Sequence, residues 1–218
     1  MAHGPWLVTT LAVAASAACA IVAAYRGNRR GVFLFKPLTT VLIIAAVLWI
    51  SPPGESRYPM WILLGLLCSL AGDVFLMLPR DRFVAGLASF LLAHVAYVVA
   101  FTSGVPLGTA PGILVPAALP GGVVLALLWS RLGALRGPVA IYVVVITLMA
   151  WQATARVWTL HTGAAALAAC GAACFVASDA LLALNRFRTP FRSAQALVMG
   201  TYVVAQWLIA LSVGAATS

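Results

Sequence analysis

The sequence predicts an all-α polytopic membrane bundle of about eight transmembrane helices. Three observations carry the prediction. Apolar residues make up 64% of the 218 and charged residues only 8%, the mean hydropathy is +1.08, and the apolar residues fall into eight runs of about 20, the length a helix needs to cross a hydrocarbon core. Soluble domains have a far more polar composition.

Pro, Gly and Arg separate the runs. The first, 6–25, stops at Arg26 and Gly27; no Lys or Arg lies between Met1 and Trp6, so it reads as a retained helix rather than a cleaved leader. The second, 33–51, opens with Lys36 and Pro37 and ends at Pro52 and Pro53. The third, 60–78, ends at Pro79 and Arg80, and the fourth, 83–102, at Ser103 and Gly104. The fifth, 111–130, and sixth, 138–158, flank Arg131 and Arg136. The seventh, 163–184, and eighth, 194–213, flank Arg186, Arg188 and Arg192. No connection is long enough for a separate domain, so residues 1–218 are expected to form a single membrane domain.

The connections from odd to even spans hold Arg26, Arg29, Arg30 and Lys36, then Arg80 and Arg82, then Arg131 and Arg136, then Arg186, Arg188 and Arg192. Arg57 and Arg156 stand alone on the other side. The positive-inside rule therefore predicts basic loops in the cytoplasm and both termini outside. Trp6, Trp49, Trp61 and Trp158 fall near the outer helix ends, as an aromatic belt requires. The net charge of +9 is a topology signal, and its partners are anionic membrane lipids; nucleic acid is not expected, because there is no soluble basic domain to hold it. Twelve Arg to one Lys, with abundant Ala and Gly, points to a GC-rich genome and a bacterial inner membrane. Cys19, Cys68, Cys170 and Cys174 all fall within spans, where a thiol packs as a small apolar group, and no disulfide framework or metal site is expected.

Of four acidic residues, Asp73 and Asp179 lie inside apolar runs, whereas Glu55 and Asp81 lie in short connections. A charge within a span costs roughly 2.5 to 3.5 kcal/mol on insertion scales, so it marks a site lined by protein or water. The segments around the two echo one another. Cys68-Ser-Leu-Ala-Gly-Asp73 matches Cys174-Phe-Val-Ala-Ser-Asp179, and Tyr97-Val-Val-Ala recurs at Tyr202, with offsets of 106 (179 − 73) and 105 (202 − 97). Short apolar matches also arise by chance, but two parallel four-helix repeats, 1–102 and 103–218, would bring both acids to one depth on the basic side. Each is expected about six residues before its span ends, roughly 9 Å deep at 1.5 Å per residue.

Two carboxylates in a low dielectric will not both stay ionised, which suits acid/base chemistry; alternatively each only ties helices together. Lys36, the only lysine, lies on the same side and either binds a lipid phosphate or snorkels to the interface. His94 and Tyr97 share one face of the fourth span, and Tyr202 and Gln206 one face of the eighth. These groups lie roughly 13 to 20 Å from the basic side. Cations at the surface, carboxylates beneath them and His, Tyr and Gln deeper match the order of phosphate, glycerol and chain linkage in a single-chain phospholipid.

With those residues assembled, the chain resembles the YhhN family of lysoplasmalogenase-like membrane proteins over nearly its whole length. The likeness is carried by Lys36-Pro37-Leu38-Thr39, Gly72-Asp73, Phe83, Ala93-His94-Val95-Ala96-Tyr97, Ser178-Asp179 and Tyr202-Val203-Val204-Ala205-Gln206. The resemblance implies hydrolysis of the vinyl ether of lysoplasmalogens to a fatty aldehyde and a glycerophospho-alcohol. On that reading Asp73 and Asp179 are catalytic, in roles the sequence does not assign. Lys36, His94, Tyr97, Asn185, Tyr202 and Gln206 bind the lysophospholipid substrate, and no metal or cofactor is called for. The competing expectation is a proton-coupled transporter or lipid-translocating protein, for which intramembrane carboxylates and parallel repeats are equally apt.

Overall fold

A computed structural model describes residues 4–50, 57–79 and 81–215, with side chains from Leu7 onward. Glu55, Arg80 and the Trp6 side chain lie outside the described residues. Among those described, every regular element is helical, and eight helices are long and apolar enough to cross a membrane. They are α1 (Gly4–Tyr25), α2 (Arg29–Ile50), α3 (Arg57–Met77), α4 (Phe83–Phe101), α5 (Leu114–Leu128), α6 (Arg136–Leu160), α7 (Gly163–Phe187) and α8 (Ala194–Ala215).

Several boundaries differ from expectation for visible reasons. α2 begins at Arg29, one turn early, because the Asn28 side chain accepts the Gly31 amide at 3.1 Å and supplies a cap. α7 runs on to Phe187, where the Phe187 ring meets Phe83 edge-on and the Arg186 guanidinium lies 4.1 Å over the Phe83 ring. The fifth span is broken into a 3-10 turn at Pro111–Ile113, α5 itself and another 3-10 turn at Trp129–Arg131. Pro120 within α5 withholds one helical amide.

The most extensive packing joins α7 to α8, α3 to α4 and α1 to α2, while α2 against α8 and α4 against α6 close the bundle. Its fully buried centre includes Leu66, Tyr97, Phe101, Phe175 and Ile209. Trp49 and Trp158 are exposed near the helix ends opposite the basic loops. Because lipid tails are as apolar as leucine, close backbone approach between small residues holds such helices together. Gly171 is the sharpest case: a Cβ there would lie 2.8 Å from the Ala205 carbonyl oxygen on α8. Gly171→Ala is therefore expected to force α7 from α8 and lower stability by about 1 to 3 kcal/mol, read as a reduced unfolding midpoint in detergent.

Candidate active site

A cavity of about 540 Å³ opens at the basic end of the bundle. Lys36 from α2, Asp73 from α3, Asp179 from α7 and Tyr202 from α8 all line it. The two halves of the chain thus contribute one carboxylate each to the same space.

The two acids are held differently. Asp73 is engaged on both oxygens. Its Oδ1 lies 3.1 Å from Lys36 Nζ, while its Oδ2 accepts the hydroxyls of Thr40 at 3.0 Å and Tyr202 at 2.7 Å. A cation and two hydroxyl donors thus face this carboxylate. The Tyr202 hydroxyl also accepts from Gln206 Nε2 at 3.2 Å, and Gln206 Oε1 accepts from Tyr97 at 2.6 Å. A relay of three side chains, Tyr97 from α4 and Gln206 and Tyr202 from α8, therefore fixes Asp73 from behind.

Among the described residues Asp179 has one hydrogen bond: its Oδ2 accepts the Tyr142 hydroxyl at 2.5 Å. His94 Nε2 stands 3.9 Å from the same oxygen, beyond hydrogen-bond reach. Asp179 keeps 18% of its side-chain surface exposed against 1% for Asp73, so it is the acid that reaches into the space.

Depth and orientation depart in part from the sequence expectation. Asp73 precedes the end of α3 by four residues (77 − 73) and Asp179 the end of α7 by eight (187 − 179), instead of six each. His94, Tyr97 and Gln206, expected to touch substrate, are fully buried and stand behind the cavity wall. Packing sets their rotation. Tyr97 is drawn across to Gln206 and lies over Gly65, where a methyl group would collide with its ring. The His94 ring is wedged between Tyr142 and Phe175, at centroid distances of 5.2 and 4.6 Å, and among the described residues neither ring nitrogen has a hydrogen-bond partner. Asn185 does line the cavity, but its Oδ1 is occupied by the Phe191 amide at 3.2 Å, closing the turn between α7 and α8.

Asp81 has more to do than its loop position indicated. It accepts the Phe83 amide at 3.1 Å and binds Arg186 at 2.7 Å, holding that cation at the cavity mouth. The Phe83 amide and then Arg186 keep the Asp81 carboxyl below the usual carboxylate range. The contact is therefore intact at neutral pH and is lost only as pH falls through that lowered value.

Two residues escaped the sequence reading. Thr40 lies one turn after Lys36 on the same face of α2, so its bond to Asp73 follows from helical spacing. Tyr142 stands 106 positions after Lys36 (142 − 36), the offset between the two acids, and each faces the carboxylate on the helix after its own. That coincidence was the signal available for Tyr142.

Residues 31–213 match the YhhN family. The uncharacterized membrane protein YhhN of Escherichia coli O157:H7 is 30% identical over 203 residues, covering 93% of this chain and 96% of that one. Human lysoplasmalogenase TMEM86A is 40% identical over 174 residues, 75% of this chain and 67% of that one. The lysoplasmalogenase of Mycobacterium bovis is 32% identical over 184 residues, 80% and 67% respectively. No solved structure matches the chain.

Proposed function

Because the chain belongs to the YhhN family, we propose that it is a lysoplasmalogenase, an ether hydrolase that cleaves the vinyl ether of lysoplasmalogens by acid/base catalysis. One observation carries the reading. A single cavity presents two carboxylates in unlike environments, Asp73 engaged by Lys36, Thr40 and Tyr202, and Asp179 hydrogen-bonded, among the described residues, by Tyr142 alone. Environments that separate two acids in this way divide them into a proton donor and a charged partner.

Asp179 is the donor. With Oδ2 accepting from Tyr142, Oδ1 carries the proton and delivers it to the distal alkenyl carbon. The double bond electrons form the new C–H bond and leave an oxocarbenium ion between the proximal carbon and the ether oxygen. Asp73, paired with Lys36, faces that cation and stabilises it electrostatically. Water adds to the proximal carbon as Asp179, now a carboxylate, takes its proton. The hemiacetal then breaks its bond to the glycerol oxygen as Asp179 gives that oxygen a proton and takes one back from the hemiacetal hydroxyl, so the alcohol leaves and the fatty aldehyde remains. Water is consumed and the acid is restored, in the manner of paired carboxylates in glycosidases.

Lys36, read from sequence as a phosphate ligand, is given to Asp73 in this scheme; Arg29 and Arg186, which also line the cavity, meet the phosphate at its mouth. Tyr97, Gln206 and His94 are positioning residues behind Asp73 and Asp179. The positive-inside rule places the basic end in the cytoplasm, so the substrate is drawn from the inner leaflet of a bacterial plasma membrane. Transport requires a route to both faces, and the half beyond the cavity is filled by Ile62, Leu66, Tyr97 and Phe101.

The purified protein in detergent is expected to release fatty aldehyde from an alkenyl lysophospholipid and none from its saturated alkyl ether, as read by mass spectrometry. Turnover is expected to slow in D2O, because proton transfer to carbon limits it. Absence of aldehyde from folded protein across headgroups and pH values would favour lipid or proton transport, measured as flux in liposomes.

A further inference from the structure

The polar cavity continues into an apolar cleft of about 80 Å³, and Asp179, Phe83 and Phe90 belong to the walls of both. Past them the cleft runs between α4, α5, α6 and α7, beside Leu87, Leu125, Val143 and Ile146. Its polar lining side chains, among the described residues, are Asp179 and its partner Tyr142.

We propose that this cleft receives the hydrocarbon chain of the same lipid whose phosphate occupies the polar cavity. The inference rests on the hydrolase reading for its chemistry, but three observations of packing support it independently. The first is continuity: an amphiphile with its phosphate at Arg29 or Arg186 has its chain leading past Asp179 into apolar walls. The linkage between glycerol and chain then falls beside the proton donor, where the reaction requires it.

The second observation is the state of α5. Of Leu114–Leu128 only Leu128 is buried, so α5 covers the cleft as a thin outer wall between it and the bilayer. The third is a difference between the two halves. α1 packs against α8, whereas α5 has no comparable packing against α4, and the cleft lies where those two helices stand apart.

The test uses the full chain in detergent with a saturated alkyl-ether lysophospholipid that carries a diazirine in its chain, followed by mapping of the cross-links. Labelling is expected on the cleft-facing residues of α5 and α6 and is expected to fall when unlabelled lysophospholipid competes. Leu125→Trp on the thinly packed α5, and separately Ala183→Phe on α7, narrow the cleft. Each is expected to reduce cleft labelling and to lower the ratio of kcat/KM for long-chain over short-chain alkenyl substrates by roughly ten-fold.

Labelling spread over the lipid-facing helices without competition, or an unchanged chain-length ratio in folded variants, would overturn the chain site. Competed cleft labelling in a protein that releases no aldehyde would sink the hydrolase reading and leave the chain site standing. Aldehyde release with chain-length ratios indifferent to both substitutions would do the reverse.

Discussion

Asp179→Asn is expected to abolish aldehyde release, lowering kcat by roughly 10² to 10⁴-fold, while the protein still folds and binds lysophospholipid. The amide is nearly isosteric and its oxygen can still accept from Tyr142, which bonds Asp179 at 2.5 Å. What it cannot do is give up a proton to carbon and then take one from water. The side chain also lies at the junction of cavity and cleft, and among the described residues no Lys or Arg pairs with it, so no buried Lys or Arg is stranded by the change. Single-turnover kinetics with the alkenyl substrate, and binding of the non-reactive alkyl ether, separate chemistry from affinity. Near-normal turnover in this variant would remove Asp179 from the reaction. A large loss of binding with chemistry intact would reduce it to a contact residue. Tyr142→Phe is a milder version of the same test, since it frees Oδ2 but leaves the proton on the acid.

The membrane bundle and the acids were legible because a bilayer imposes strong rules. Eight apolar runs leave little room for another fold, and a carboxylate within a run stands out on cost alone. Lys36 was legible as a polar group at the basic end and Tyr202 as one deeper in its span, and the structure brings both to Asp73. Helix rotation was not legible. Spacing put His94 and Tyr97 on one face of α4, but which way that face turns depends on Gly65 making room for a ring and on Gln206 offering an acceptor across the bundle. Tyr142 sits between Ile141 and Val143, a setting no different in sequence from that of any lipid-facing aromatic. Relative depth was misjudged because α7 continues past its apolar run, held by Arg186 over the Phe83 ring and by the edge-on contact of Phe187 with that ring. Length and hydropathy specify spans; contacts between spans decide where each side chain points.

Asp73→Asn is expected to lower kcat by roughly 10² to 10³-fold for a different reason, the loss of a fixed negative charge beside a developing oxocarbenium ion. The same change strands Lys36, whose ammonium lies 3.1 Å from Asp73 and is only 15% exposed. An unpaired cation there opposes the transition state and costs stability as well, about 3 to 5 kcal/mol where such a pair is buried and less here, because Lys36 reaches solvent. These two consequences are separable with a second substitution. Lys36→Met alone leaves Asp73 with Thr40 and Tyr202 as donors and is expected to retain part of the activity. Lys36→Met in the Asp73→Asn background removes the stranded cation and is expected to restore most of the lost stability and some of the lost rate, so the double variant is better than the single Asp73→Asn. A cycle of unfolding midpoints and kcat across the four proteins measures the coupling. If Lys36 instead serves mainly to bind phosphate, its removal raises KM equally in both backgrounds and the cycle is additive, which would return Lys36 to the substrate and leave Asp73 held by its two hydroxyl donors.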